Sequence, residues 1–128
     1  MNIIHLLLVG AGGCIGSMAR YLTVVAVDKK LNSIFPYGTL AVNIIGSFVL
    51  GLSLAWLTKK TGTSALHWKL FLGTGVCGGF TTFSAFAVEN FTLLEQKLHA
   101  TASFYIVASV AAGLLAVWAG FALARTIV

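Results

Sequence analysis

The residues best suited to chemistry lie at positions 73–86, where glycines and hydroxyl side chains interrupt an otherwise apolar segment. The stretch reads GTGVCGGFTTFSAF. Because glycine weakens a helix interior by about 0.8–1 kcal/mol relative to alanine, the Gly78-Gly79 pair is predicted to break the helix. Threonine and serine after a break are favourable caps for a new helix. Non-helical backbone in a membrane survives only where protein or water covers it, so a break predicts an ion or substrate site. The alternative is that these glycines only allow close helix packing.

The two half-helices on either side of this break suit ions of opposite sign. The first ends in backbone carbonyls, which favour a cation, and the second begins with free N–H groups, which favour an anion. Phe83 and Phe86 share a face of the second half. The edge of an aromatic ring is electropositive, so two ring edges can stabilise a small anion weakly enough for fast release. The alternative for both rings is contact with lipid or core. Glu89 follows one turn later; an acid within a membrane usually marks a functional site, and this one can accept hydrogen bonds from Thr or Ser side chains.

Polar side chains also recur every fourth residue on two further apolar segments. The first stripe contains Thr39, Asn43 and Ser47, and the second contains the hydroxyl residues Thr101, Tyr105 and Ser109, followed at the same spacing by Gly113. Residues at this spacing share one helix face. Each stripe therefore predicts either a polar path or a set of hydrogen bonds between helices.

The composition indicates the elements that must position these residues. Of 128 residues, 59% are hydrophobic and 9% are charged, which is typical of an integral membrane protein. We predict an all-α membrane fold with four spans, at residues 3–27, 37–57, 68–96 and 100–127, the third of them broken. The chain forms a single domain covering residues 1–128. One domain of this size is too small to enclose a wide pore, which favours an oligomer.

Two features of the first span have a predicted role. Gly12 and Gly16 form a small-xxx-small pair that lets another backbone approach closely. Arg20 lies toward the far end, where it either extends to the interface or holds a positive potential at the mouth of an anion path. Residues 28–33 are predicted to form a polar loop, and Pro36 suits the start of the second span.

The basic residues are evenly distributed between the two sides of the predicted topology. The net charge is +5, and each side carries four of the eight Lys and Arg residues. Because an excess of Lys and Arg normally sets orientation, this balance predicts insertion in both orientations and antiparallel pairing of two copies. The alternative is a fixed topology set by another feature. The two cysteines have neither the spacing of a metal site nor that of a disulfide framework.

These motifs resemble those of the Fluc (CrcB-type) fluoride channels over essentially the whole chain. The resemblance rests on the run from Gly13 to Arg20, on the run from Gly38 to Asn43, and above all on GGFTTFSAF at residues 78–86. It implies an antiparallel homodimer with two fluoride pores. The implied function is passive export of cytoplasmic fluoride across the cell inner membrane.

The resemblance also implies roles for individual residues. The implied fluoride pore residues are Phe83, Phe86, Asn43, Thr39, Tyr105, Ser109, Glu89 and Arg20. The backbone carbonyls of Gly78 and Thr81 are implied to hold a structural sodium ion at the dimer interface. Some members of the family continue the polar track with a further serine where this chain has Gly113, which leaves the inner end of the track open to question.

Two other functions compete with a channel. A small dual-topology proton-coupled exporter would use Glu89 as its exchange site, and a non-transporting assembly subunit would conduct nothing. An enzyme is not predicted, since the sequence contains no nucleophile–base pair, metal-ligand set or phosphate-binding loop.

Overall fold

The computed structural model describes residues 2–127, and every regular element in that range is helical. The helices are α1 (Ile3–Leu31), α2 (Tyr37–Thr58), α3 (Gly62–Trp68), α4 (Gly78–Phe80), α5 (Phe83–Glu95) and α6 (His99–Ile127), with a π-helical segment (Lys69–Cys77) between α3 and α4. Four spans are long and apolar enough to cross a membrane. The third, Gly62–Glu95, joins α3, the π-helical segment, α4 and α5. The predicted four-span membrane architecture is confirmed.

Helix α1 is longer than predicted, because residues 28–31 continue the helix instead of beginning a loop. It ends at Asn32, whose left-handed backbone (φ 42°, ψ 54°) directs its N–H to the carbonyl of Asp28 at 2.8 Å. The Asp28 carboxylate in turn accepts the backbone N–H of Gly38 at 3.0 Å, in the first turn of α2. Asp28 therefore joins two helix ends, which explains why the predicted loop at 28–33 is wrong over its first four positions.

Close packing of α1 against the third span depends on glycine, as predicted. A Cβ on Gly12 would overlap the carbonyl oxygen of Phe71, and one on Gly16 would overlap that of Val76. Both contacts involve backbone, which cannot move aside as a flexible side chain can. Helices α2 and α6 also pack closely at a glycine, since a Cβ on Gly51 would overlap the carbonyl oxygen of Val117.

Gly16→Ala is expected to destabilise the protein by about 2 kcal/mol, because overpacking a close contact typically costs 1–3 kcal/mol. Gly10→Ala is the matched control on the same helix, since no atom lies within 4 Å of its Cβ position. That change should be neutral or stabilising, because alanine is the better helix former. Thermal unfolding of both variants in detergent measures the difference. Equal midpoints for the two variants would contradict the packing account.

The third span is broken, but three residues later than predicted. Gly78 and Gly79 lie within helical α4, and the extended backbone is at Thr81 (φ −85°, ψ 160°) and Thr82 (φ −152°, ψ 123°). The Gly78 N–H donates to the carbonyl of Gly73, five residues back, so the helix continues through the glycine pair. A Cβ on Gly79 would lie 2.7 Å from the carbonyl oxygen of Gly13. This glycine therefore permits contact with α1 and does not interrupt the helix.

Candidate functional site

The side chain of Asn43 replaces the backbone hydrogen bonds that are lost where the third span breaks. Its Oδ1 accepts the Thr82 N–H at 2.8 Å, and its Nδ2 donates to the Thr82 carbonyl at 3.1 Å. Asn43 lies on α2, so the break is braced by a neighbouring helix. The side-chain NH₂ of asparagine has two donors, which leaves one N–H available beyond this brace.

Thr82 begins α5 and caps it. Its Oγ1 accepts the N–H of Ala85 at 3.2 Å, the geometry expected of a threonine N-cap. The helix therefore starts beside the break, where its first N–H groups and the positive end of its dipole favour an anion. The sequence prediction that a hydroxyl residue after the break caps a new helix is confirmed at Thr82.

Arg20 points at the break and not toward the end of its span. Its Nη1 donates to the carbonyl of Thr81 at 3.3 Å. Thr81 follows α4 directly, and its own hydroxyl donates to the Cys77 carbonyl at 2.9 Å. Gly78 lies at the start of α4, on the same side of the break. Of the two predicted alternatives for Arg20, extension of its side chain to the membrane interface is therefore wrong within this chain.

A groove of about 300 Å³ runs along the surface of the chain beside the break. Its polar walls come from the break and from both predicted stripes, and its apolar walls come from two phenylalanines and two aliphatic residues. The lining residues are Asn43, Ser47, Leu50, Thr81, Thr82, Phe83, Phe86, Ser109, Val110 and Gly113. The groove therefore combines hydroxyl, amide and aromatic groups from three spans.

The aromatic rings form a continuous series from the groove into the core. The ring centroids of Phe83 and Phe86 are 5.6 Å apart, and those of Phe86 and Tyr105 are 5.1 Å apart. Phe83 is 78% exposed, whereas Tyr105 is fully buried. Within a single chain Phe83 thus presents nearly its whole side chain outward, and Phe86 is half-buried between it and the core.

Glu89 accepts two short hydrogen bonds from buried hydroxyl groups. Thr39 Oγ1 donates to its Oε1 at 2.6 Å, and the Tyr105 hydroxyl donates to its Oε2 at 2.7 Å. Thr39 is only 2% exposed and Tyr105 is fully buried. The carboxylate is therefore held between α2 and α6 with a partner on each oxygen. It is connected to the groove through the contact between Tyr105 and Phe86.

Ser109 contributes to the groove a hydroxyl group that has no hydrogen-bond partner within the described residues. Its Oγ is buried and, among residues 2–127, has no hydrogen-bond partner. Gly113 follows one turn later, and a Cβ there would lie 3.9 Å from Ser47 Oγ. The serine of α2 therefore faces the position where the α6 stripe loses its hydroxyl. At that depth only the α2 wall carries a polar side chain, that of Ser47.

The structure therefore divides the eight predicted pore residues into three groups. Phe83, Phe86, Asn43 and Ser109 line the groove. Thr39, Tyr105 and Glu89 form a hydrogen-bonded cluster that contacts the groove through Phe86, and Arg20 donates to the Thr81 carbonyl at the break. The predicted set omitted Ser47 and Thr82, which also line the groove. The four-residue periodicity had already placed Ser47 on the α2 stripe, and the cap signal could have identified Thr82.

Comparison with known proteins identifies the chain's relatives. Residues 7–121 match the family described as CrcB-like protein, Camphor Resistance (CrcB). A protein named Fluoride-specific ion channel FluC from Caulobacter sp. (strain K31) is 47% identical over 122 residues, which are 95% of this chain and 95% of that protein. The protein of the same name from Rhizobium meliloti (strain 1021) is 47% identical over 124 residues, 97% of this chain and 98% of the relative. A third, from Flavobacterium psychrophilum, is 43% identical over 117 residues, 91% of this chain and 94% of the relative.

Proposed function

The chain belongs to the CrcB family, whose relatives are named as fluoride-specific ion channels, and we propose that it is itself a fluoride-selective channel of the cell inner membrane. It is a multi-pass membrane protein of a transport class and not an enzyme. In this proposal cytoplasmic fluoride leaves passively, driven by its gradient. An inside-negative membrane potential assists the exit of an anion by about 2.3 kcal/mol per 100 mV.

The groove beside the broken third span is the observation that carries this proposal. A small anion must give up water to enter a narrow path, and conduction requires contacts that replace the water without holding the ion too tightly. The groove offers the unpartnered Ser109 hydroxyl, the remaining N–H of Asn43 and two phenylalanine rings. None of these groups carries a fixed charge. The start of α5 adds a positive dipole end at the break.

Ion efflux from liposomes containing the purified protein tests the proposal. Liposomes loaded with fluoride should release it rapidly once a potassium ionophore balances the charge, whereas liposomes loaded with chloride should not. Empty liposomes are the control for leakage. Equal release of both halides would overturn fluoride selectivity, and no release of either would favour the non-transporting subunit.

We further propose that two copies pair antiparallel and form two pores. With Arg20 placed at the break, the two sides carry four and three of the remaining Lys and Arg residues, and this near balance supports insertion in both orientations. The groove also lies open on the surface of one chain, with Phe83 78% exposed, so a second copy can close it. Labelling of a terminal tag from each side of sealed vesicles should report both orientations. A single orientation would contradict the antiparallel dimer.

The proposed sodium site uses the carbonyls of Gly78 and Thr81. The ligand type fits, because hard cations prefer oxygen ligands and the break releases the Thr81 carbonyl from the helical pattern. That carbonyl accepts one hydrogen bond from Arg20, which leaves its second lone pair. Two carbonyls from each of two copies would surround one ion where the copies meet. A bound sodium ion would fix the two breaks against each other.

Glu89→Gln is expected to leave fluoride efflux within about threefold of the parent protein. Glutamine keeps one accepting oxygen, and the hydroxyls of Thr39 and Tyr105 can each accept as well as donate, so the cluster can persist. A proton-coupled exporter would instead lose transport, because glutamine cannot exchange a proton. The measurement is fluoride efflux with and without a pH gradient across the liposome. Abolished efflux in this variant, with a pH-dependent parent, would favour the exporter.

A further inference from the structure

Two histidines meet at the opposite end of the chain from the Asp28 helix junction. His5 lies in the first turn of α1, and His67 lies in the last turn of α3. Their imidazole ring centroids are 5.6 Å apart, with the ring planes inclined by 69°. Both side chains are half-buried. Neither residue lines the groove or contacts the cluster around Glu89, so the proposed channel function does not account for this pair.

The separation of the rings matches that of two imidazoles bound to one metal ion. A histidine nitrogen binds Zn²⁺ at about 2.0–2.1 Å, and the ring centre lies roughly 1.1 Å beyond it, so two tetrahedral ligands have centroids about 5.2 Å apart and two linear ligands about 6.4 Å apart. The observed 5.6 Å falls between these limits. Imidazole is a ligand preferred by zinc, copper and nickel.

The surroundings of the two histidines offer no further protein ligand within the part of the chain that the structure describes. An apolar pocket of about 360 Å³ adjoins His67 and is lined by Leu8, His67, Trp68 and Phe71. Across residues 2–127 no group of three or more His, Cys, Asp or Glu side chains is placed to hold a metal. A bound ion would therefore take two ligands from the protein and the rest from water at the membrane surface.

We propose that His5 and His67 form a binding site for a divalent transition metal, with zinc, copper and nickel as the candidate ions. The ion joins the first turn of α1 to the third span just before the π-helical segment. It thereby fixes the two spans that approach each other through Gly12 and Gly16. This site is independent of the proposed transport function.

Thermal unfolding of tag-free protein in detergent tests the site, with Zn²⁺ or Ni²⁺ added and Mg²⁺ as the control ion. A ligand that binds only the folded state at ten times its dissociation constant should raise the midpoint by about 5 °C. The rise should disappear in His5→Ala and in His67→Ala. His99→Ala is the matched control, because it removes the chain's third histidine at the start of α6 and should keep the full rise.

Tryptophan fluorescence gives a second readout that does not depend on unfolding. Trp68 adjoins His67 and lines the same pocket, so bound Cu²⁺ should quench its emission in the parent and in His99→Ala. His5→Gln and His67→Gln, which keep polar side chains of similar size, should lose this quenching at low copper concentration. Quenching of equal strength in all variants, or no metal-dependent rise in the parent, would overturn the proposal.

Discussion

Phe83→Ile is expected to reduce fluoride efflux about tenfold while leaving the chain folded. Isoleucine keeps an apolar side chain but has no electropositive ring edge. Contacts between two aromatic rings, which arise from the same ring quadrupole, contribute about 0.5–1.5 kcal/mol. A loss of about 1.4 kcal/mol at the highest barrier is a factor of ten in rate. Phe83 is 78% exposed within one chain, so its replacement removes little packing from the fold. The measurement is the efflux rate at matched protein density in liposomes.

Phe91→Ile is the matched control for this prediction. Phe91 lies on the same helix and is 65% exposed, but it does not line the groove. Its replacement should leave efflux unchanged. If Phe83→Ile conducts as well as the parent, or if both variants lose efflux equally, the ring edges of the groove are not part of the path.

Asn43→Leu is expected to destabilise the protein by about 2–4 kcal/mol and to abolish efflux. Leucine has a similar shape but cannot bond to Thr82, which leaves one backbone N–H and one carbonyl without partners at the break. Each unsatisfied buried group costs about 1–3 kcal/mol. The chain can then avoid this cost only by closing the break, which would remove the groove. Thermal unfolding in detergent and fluoride efflux measure the two effects together.

Ser47→Ala is the control one turn along the same helix. Ser47 also lines the groove but does not brace the backbone, so the variant should keep the parent's unfolding midpoint and lose only part of its efflux. An Asn43→Leu protein with parental stability would show that the two hydrogen bonds to Thr82 do not support the break. A stable variant with parental efflux would also exclude Asn43 from the path.

The number and position of the spans could be predicted from the sequence because each span is a long apolar stretch of the required length. The start of α2 was predicted at residue 37, and α6 begins one residue before its predicted start. Helix ends set by distant partners could not be predicted in this way. The helical state of residues 28–31 depends on the Asp28 contact with Gly38, which local sequence does not reveal.

The existence of the break was predicted correctly, but its position was not. Helix propensity identified Gly78-Gly79 as the weakest point. In the folded chain, contact with α1 keeps the glycine pair helical, and the interruption occurs where Asn43 supplies replacement hydrogen bonds. A break in a membrane helix forms where a partner can satisfy the freed backbone, and that partner lies on another span.

The partners of Glu89 illustrate the same limit. A hydroxyl partner for this acid was predicted as a class, and Thr39 confirms it. Tyr105 was predicted only as a member of the α6 stripe, and its bond to Glu89 follows from the packing of α5 and α6 together. The periodicity of the sequence indicates which residues share a helix face, but only the folded structure shows which faces pack against each other.

The reversal potential of currents through the purified protein in a planar bilayer tests most directly whether the chain conducts fluoride passively. A passive fluoride channel should show a shift of about 59 mV for each tenfold fluoride gradient, as for any singly charged ion at equilibrium. A tenfold gradient of chloride or of protons should produce no shift. A reversal potential that follows the proton or chloride gradient, and not the fluoride gradient, would show that the chain is not a passive fluoride channel.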